Sequence, residues 1–391
     1  MRGAFLVALA LIFAIGSLDA VRGLLAPHIQ GSLNFNLSQM GLLLAGAPLG
    51  FLLSGLVAGK LLERLGLKKV VFLSGLFVTV AIVGLVILRQ IGFLTLAFVF
   101  IGFSKGLMEI GLNTYTAGAY PQARARYLGI LHGFYGGGSI VFPVVAGWML
   151  MTGVDWRGIY VLLAAVFLLA IPAGFVFRIP ADQAQGEEKS SPALGSFLID
   201  KRFYWLASLV VFYVASEVGI LSWLPYYLET YKQVDPLHTP YFIGAFFLLF
   251  TVGSITGGQL AERWGYEWVL GLTAAAGGLC LVAGLWGTGS WKYLFPFVGL
   301  FYSIIFPILV ALASRDYPGQ SGTVIGYLST AAGGGAMVSA WLIGILGEWI
   351  GFQTAFWLPV WFMGIVVGLA YFGKRVYKQS LMGGKTNELP R

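Results

Sequence analysis

Gly59-Lys60-Leu61-Leu62-Glu63-Arg64-Leu65-Gly66 is one of two copies of a short pattern. The other is Gly258-Gln259-Leu260-Ala261-Glu262-Arg263-Trp264-Gly265, displaced by 199 residues. Each copy has a glycine, a Glu-Arg pair and a second glycine at the end of an apolar run. Three more matches fall at almost the same displacement. Tyr120-Pro121 returns as Tyr317-Pro318, and Gly136-Gly137-Gly138 with Gly147 returns as Gly333-Gly334-Gly335 with Gly344, both at 197. Asp19 with Pro27 returns as Glu217 with Pro225 at 198. Chance matches would scatter over many offsets, so the chain is read as a unit and its copy.

The composition says what the unit is made of. Of 391 residues, 58% are hydrophobic, 15% aromatic and 10% charged. A soluble domain carries about 25% charged residues. This chain cannot cover a water-facing surface, which excludes a soluble enzyme, a secreted disulfide domain, a disordered protein and a nucleic-acid-binding domain. Cys280 is the one cysteine, so there is neither a disulfide framework nor a thiolate metal site.

A helix needs about 20 mostly apolar residues to cross the hydrocarbon core. Twelve runs qualify: 4–28, 38–60, 69–88, 92–119, 127–151, 157–178, 203–229, 240–261, 268–288, 292–314, 321–347 and 352–373. They are too long and too uniformly apolar for barrel strands, which alternate. The 55 glycines fit membrane helices, where they permit close packing. The first run is too long for a signal peptide, contains Asp19 and is followed by eleven more. The expected fold is an all-α membrane protein, with twelve transmembrane helices in two pseudo-symmetric six-helix bundles.

Basic residues set the orientation. With both termini cytoplasmic, 18 of the 24 Lys and Arg lie inside, and only Arg89, Arg157, Lys232 and Lys292 lie outside. Arg22 and Lys105 remain within spans. This bias fits the positive-inside rule and accounts for the net charge of +8 without nucleic acid. The polar stretch 179–202 reads as a cytoplasmic linker between an N-terminal bundle (1–178) and a C-terminal bundle (203–373). Residues 374–391 read as a cytoplasmic tail. Short loops and tails suggest a prokaryotic inner membrane, and a monomer is expected.

Two six-span halves repeated in the same sense resemble the major facilitator superfamily. Gly59 to Lys69 is similar to its loop signature between helices 2 and 3, G-x-L-a-D-r-x-G-r-k, with Glu63 in the place of Asp. The pattern at Gly258 resembles the degenerate second copy. The resemblance covers nearly the whole chain. It implies a substrate site near the membrane midplane, with the halves rocking around it. It also implies a conformational gate: Gly59 and Gly66 allow close approach, and Glu63, Arg64, Glu262 and Arg263 form ion pairs in one state that break in the other.

Five charges lie well within spans, away from their ends: Asp19, Arg22, Lys105, Glu109 and Glu217. Each is expensive in hydrocarbon, so each is expected to face the interior or a water-filled cavity. Asp19 and Arg22 are three apart, while Lys105, Glu109 and Asn113 step by four, so each set shares a helix face. The plain alternative is neutral pairing within each helix. The functional alternative is proton coupling. Desolvation favours a protonated carboxylate and a nearby cation opposes it, so motion of Arg22 or Lys105 would shift the balance.

Glu109-Ile110-Gly111-Leu112-Asn113, Asp19 to Pro27, Glu217 to Pro225 and Tyr302 to Pro307 together resemble the fucose permease and glucose/galactose transporter branch. That likeness implies proton-coupled sugar transport, with Asp19 and Glu109 as the proton-coupling residues and Asn113 at the branch's helix-4 Asn. Lys105 stands where a small residue is expected. With Arg22, it would suit a carboxylate, sulfonate or phosphate on the substrate.

Further substrate-binding candidates are His132, Tyr135, Tyr213, Glu217, Trp223, Tyr302, Ser303 and Tyr327, since aromatic faces pack on sugar rings and polar groups fix hydroxyls. With 30 Phe, 18 Tyr and 12 Trp, packing and interfacial roles compete for every aromatic.

Gly102-Phe103-Ser104-Lys105-Gly106 matches a hydrolase nucleophile pattern, but it lies inside a membrane helix and lacks the strand-turn-helix elbow. No phosphate-binding G-K-[ST] loop and no metal-ligand spacing occur. The expected protein is therefore a transporter with no cofactor and no metal. Its partners are a sugar-like or small anionic molecule, protons and the bilayer. It imports a sugar or sugar derivative; an organic-anion carrier or an exporter of lipophilic compounds is the alternative.

Overall fold

The computed structural model describes residues 2–170, 196–318 and 320–384. Ten helices among them are long and apolar enough to cross a membrane. The elements are α1 (Arg2–Leu24), α2 (Ala26–Leu33), α3 (Leu37–Ile87), α4 (Ile91–Ala119), α5 (Arg124–Met151), α6 (Trp156–Ala170), α7 (Lys201–Thr230), α8 (Thr239–Trp264), α9 (Tyr266–Trp286), α10 (Phe295–Tyr302), α11 (Ile305–Asp316), α12 (Ser321–Ile350), α13 (Phe352–Ala355) and α14 (Leu358–Gly384).

Ten long helices give eleven crossings once α3 is divided, and two further breaks interrupt single spans. At 51 residues, α3 is far longer than one crossing requires. It breaks at Gly66, where φ is 74° and ψ is 155°. A side chain is strained at that φ, so the signature's second glycine is where the second and third spans can join. In α1–α2, Pro27 cannot donate to the carbonyl four residues back, and the helix is interrupted at Leu25. Pro307 acts likewise on the tenth span, which divides into α10 and α11 around Ser303 and Ile304. Helix α6 begins the sixth expected span, whose remainder, 171–178, lies outside the described residues.

The expected linker, 179–202, lies mostly outside the described residues. Its end forms a short turn over Ser196–Ile199, and Asp200 caps α7 by accepting from the Arg202 N–H at 2.9 Å. The last helix is described to Gly384, past the point where the tail was expected to begin; residues 385–391 lie outside the described residues.

The backbone repeats as the sequence does. Gly66 and Gly265 share positive φ, at 74° and 91°. So do Asn34 and Gln233, at 53° and 50°, and Gly153 and Gly351, at 85° and 88°. Tyr120 and Tyr317 end their helices at φ −131°, ψ 60° and φ −124°, ψ 60°. All four pairs are 197 to 199 residues apart.

Packing repeats as well. Gly138 of α5 presses on the Phe13 carbonyl of α1, as Gly335 of α12 presses on the Val211 carbonyl of α7. Gly102 of α4 lies on the Ala47 carbonyl of α3, as Gly299 of α10 lies on the Phe246 carbonyl of α8. Lipid offers helices no hydrophobic drive to associate, so glycines that bring backbones into van der Waals contact carry the packing. Exposed Trp148, Trp286, Trp291 and Trp349 at one end and Trp264 and Trp268 at the other suit the two interfacial belts.

The halves meet along α3–α12 and α5–α8, with α1 against α7. These seams are closed at the end away from the chain termini. There a methyl added to Gly41 would lie 2.9 Å from the Gly344 Cα, Gly23 presses on the Leu221 carbonyl, and Glu348 accepts from the Leu37 N–H at 3.0 Å. At the terminus-bearing end, Gly59, Gly129, Gly133, Gly258, Gly322 and Gly326 face open space.

Candidate functional site

A cavity of about 790 Å³ lies between the halves. Its blind end is walled by buried Leu18, Phe98 and Tyr160, and its mouth by exposed His132, Gly133, Ser254 and Ile255. The mouth faces the terminus-bearing end, where the seams are apart. All five intramembrane charges reach this one space: Asp19 and Arg22 from α1, Lys105 and Glu109 from α4, and Glu217 from α7. Helix geometry explains the convergence. Gly102 and Gly106 bring α4 against α3 on one flank, which leaves Lys105 and Glu109 on the face turned to the cavity.

The pairing is not the neutral pairing within helices that the plain alternative requires. Lys105 Nζ lies 2.6 Å from Asp19 Oδ2, across from α4 to α1, and not on Glu109 one turn along. The Tyr135 hydroxyl donates to the same Oδ2 at 2.8 Å. Lys105 also stands 5.0 Å from the centre of the Phe51 ring. Asp19 and Lys105 are thus tied to one another by a charge-assisted hydrogen bond. Protonation at Oδ2 would displace one of its two donors. Among the described residues, no hydrogen bond or ion pair holds Glu109. Arg22 Nε is buried without a hydrogen-bond partner.

The sequence candidates divide into two sets. Asp19, Arg22, Lys105, Glu109, His132, Tyr135 and Glu217 line the cavity. Asn113, Tyr213, Trp223, Tyr302, Ser303 and Tyr327 do not, and the reasons are visible. Asn113 lies one turn beyond Glu109 toward the end of α4, with its Oδ1 buried and unpaired. Trp223 is fully buried and donates to the Ala340 carbonyl at 3.0 Å, fastening α7 to α12. Tyr302 is enclosed, 2.9 Å from Ser216 Oγ and edge-on to Tyr213. Tyr213 is buried in that cluster, one turn before Glu217. Ser303 bonds back to the Leu300 carbonyl at 2.9 Å, filling the break in the tenth span. Tyr327 packs edge-on to Phe197 and Phe203 near the start of α7.

The charged residues expected to form a gate lie at the end where the seams are apart. Glu63, Arg64, Glu262 and Arg263 are exposed and make no ion pair with a described residue. Two polar contacts among the described residues at this end stay within the C-terminal half: Arg315 to Glu267 at 2.7 Å, and the Tyr317 hydroxyl donating to Asp200 at 2.9 Å. Burial and the neighbouring Asp200 carboxylate push the Tyr317 phenol well above its usual range, so it stays a donor.

Sequence reasoning missed Phe51, Phe98, Tyr160, Phe247, Phe250, Thr251 and Phe306 of the cavity wall. None carries a signal that separates it from the many other aromatics and small polar groups. The space can hold a molecule of sugar size, with polar groups on one wall and aromatic faces on the other.

A family model described as Major Facilitator Superfamily matches residues 7–332 and 239–381. Among curated proteins, Protein TsgA of Salmonella arizonae is 22% identical over 290 residues, covering 70% of each chain. Among solved structures, a D-xylose-proton symporter superposes with TM-score 0.79 at 14% identity, covering 95% of this chain and 96% of that one. The fucose:proton symporter FucP of E. coli, from the branch that the sequence resembles, gives 0.64 at 16%, covering 94% and 98%. At such identities the structural likenesses speak for the fold.

Proposed function

The chain belongs to the major facilitator superfamily and is a membrane transporter, not an enzyme; from that premise we propose that it imports a sugar or sugar derivative together with protons, by alternating access. The observation that carries the reading is the convergence of Asp19, Arg22, Lys105, Glu109 and Glu217 on one cavity that is open at a single end. By the positive-inside rule the open end is cytoplasmic, with both termini on that side of a bacterial inner membrane. The chain works as a monomer, since one chain encloses the whole cavity.

Each half keeps its internal packing and turns against the other. Closing the open end brings Glu63 and Arg64 toward the opposite half, and opening the other end parts Gly41 from Gly344. Glu109 carries the proton. It faces the cavity without a partner, and Lys105, one turn away, is held by Asp19. Glu109 takes up a proton while the cavity faces outside and releases it to the cytoplasm in the open state described here, while Lys105 stays on Asp19. Lys105 stands between the two carboxylates, so their proton affinities are coupled. Aromatic Phe247, Phe250 and Phe306 supply faces for a ring, and Tyr135 and His132 supply polar contacts. The proton-symporting neighbours support the coupling by analogy of fold.

The test is accumulation of D-xylose, L-fucose, D-glucose and D-glucuronate by proteoliposomes under a pH gradient. Wild type is expected to concentrate at least one of them, and Glu109→Gln to equilibrate it without concentrating it. Accumulation that survives in Glu109→Gln contradicts the coupling role. An organic-anion carrier is the second reading, favoured by the unpaired Arg22 Nε.

A further inference from the structure

Two buried donors stand unpaired at the blind end of the cavity. Arg22 Nε and the Tyr160 hydroxyl both lack a hydrogen-bond partner, and both side chains line the same cavity. Tyr160 is 1% exposed, and it lies within the electrostatic reach of Arg22. Burying a donor without an acceptor is costly, and more so when the donor is charged. A pair of them facing one space marks a place for an acceptor.

Among the described residues, no side chain hydrogen-bonds to either donor. Asp19 lies within the electrostatic reach of Arg22, but its Oδ2 already accepts from Lys105 and Tyr135 and neither of its oxygens accepts from Arg22 Nε. Glu109 lies four residues from Lys105 on α4, toward the mouth, and Glu217 belongs to the opposite half. Immediately beyond Arg22, Gly23 packs on the Leu221 carbonyl and seals the end. The guanidinium therefore forms the floor of the cavity, where water is few and a fixed positive charge acts strongly. A guanidinium fork matches a planar oxyanion through two parallel N–H···O bonds, which an ammonium does not.

We propose that the substrate carries a carboxylate, and that Arg22 and Tyr160 bind it at the floor of the cavity. The proposal rests on the transporter reading and narrows its substrate from sugars in general to sugar acids and kindred hydroxy-carboxylates. The carboxylate goes in first, against Arg22 and Tyr160. The rest of the molecule then lies along Tyr135 and Glu109 on one wall and Phe247, Phe250 and Phe306 on the other. Lys105 is excluded as the primary anchor, because freeing it would strand Asp19.

Thermal unfolding of the purified full-length protein tests this with matched probes: D-glucuronate against D-glucose, D-galacturonate against D-galactose, and inorganic phosphate as a non-planar anion. A ligand that binds the folded state raises the unfolding temperature by mass action. The expected result is saturable stabilisation by at least one sugar acid, with its neutral partner at least tenfold weaker and phosphate weaker too. Arg22→Gln should lose at least thirtyfold in affinity for that sugar acid. Tyr160→Phe, which keeps the charge and the ring, should lose three- to tenfold and guards against a misfolded Arg22 variant. Absence of any carboxylate-specific stabilisation overturns the proposal, and so does equal stabilisation of wild type and Arg22→Gln.

The two readings fail separately. A neutral sugar that accumulates under a pH gradient and binds Arg22→Gln normally removes the carboxylate and leaves the sugar symporter. A sugar acid that needs Arg22 for binding, yet is never concentrated by a pH gradient, leaves the carboxylate and removes the proton coupling.

Discussion

The N-terminal and C-terminal walls of the cavity are built on the same frame and carry different chemistry. Asp19 has Glu217 as its counterpart, and both line the cavity. The other equivalents diverge. Arg22 corresponds to Ile220, Lys105 to Tyr302, Glu109 to Phe306 and Tyr135 to Ala332, at displacements of 197 or 198. The first half thus keeps two cations and two carboxylates, with Asp19, Lys105 and Tyr135 bonded together, while the second keeps one carboxylate among aromatic and small residues. Backbone symmetry is needed for two bodies to rock about a shared site. Side-chain symmetry is not, and its loss lets one wall handle charge while the other grips an apolar face.

The sharpest way to break this comparison is at Glu109 and Phe306. Glu109→Gln should abolish concentrative uptake, while Phe306→Ala should lower the uptake rate by only a few fold, both read in proteoliposomes under a pH gradient. Equal losses would mean that the halves share the proton work.

The next effect is on stability. Lys105→Ala removes one partner of a partly buried ion pair and should cost up to about 3 kcal/mol, because Asp19 is left uncompensated. Asp19→Asn combined with Lys105→Met should recover most of that in a thermal melt. The equivalent change across the pseudo-symmetry axis, Tyr302→Phe, deletes only the hydroxyl contact with Ser216 and should cost about 1 kcal/mol.

Glu217 comes third. Glu217→Gln should weaken substrate binding about tenfold yet keep concentrative uptake, the magnitude of one lost hydrogen bond to a charged group. Abolished accumulation in that variant would move a proton site into the second half.

The smallest change is expected at the closed seam. Glu348→Gln weakens the link to the Leu37 N–H and should shift the balance toward the outward-open form by less than about tenfold, since one such contact is worth about 1 kcal/mol. Labelling of a cysteine placed at Asn34, in a background where Cys280 is Ser, reads that shift.

How far the residues announced this arrangement varies with the physics involved. Spans and their duplication were legible because apolar length and a near-constant offset are properties of the chain itself. Convergence of Asp19, Glu109 and Glu217 was legible because burying charge in lipid is costly enough to force a shared wet space. The partner of Lys105 was not legible. Spacing along α4 offers Glu109, and only the packing of α1 against α4 brings Asp19 nearer. Trp223 and Tyr302 were misplaced for a similar reason: a polar aromatic within a span has a polar tip whether it meets a ligand or another helix. Tyr160 gave no sign, since it is one aromatic among many and only the fold buries its hydroxyl without a partner.

The central claim is that one charged wall couples proton binding to the rocking of two equivalent halves. Paired spin labels in proteoliposomes test it without a known substrate, one pair at positions 59 and 258 and the other at 34 and 233, with Cys280 replaced. Lowering the pH should lengthen the 34–233 distance and shorten the 59–258 distance, and Glu109→Gln should hold the low-pH distances at every pH. Distances that ignore pH, or that change together in the same direction, would contradict it.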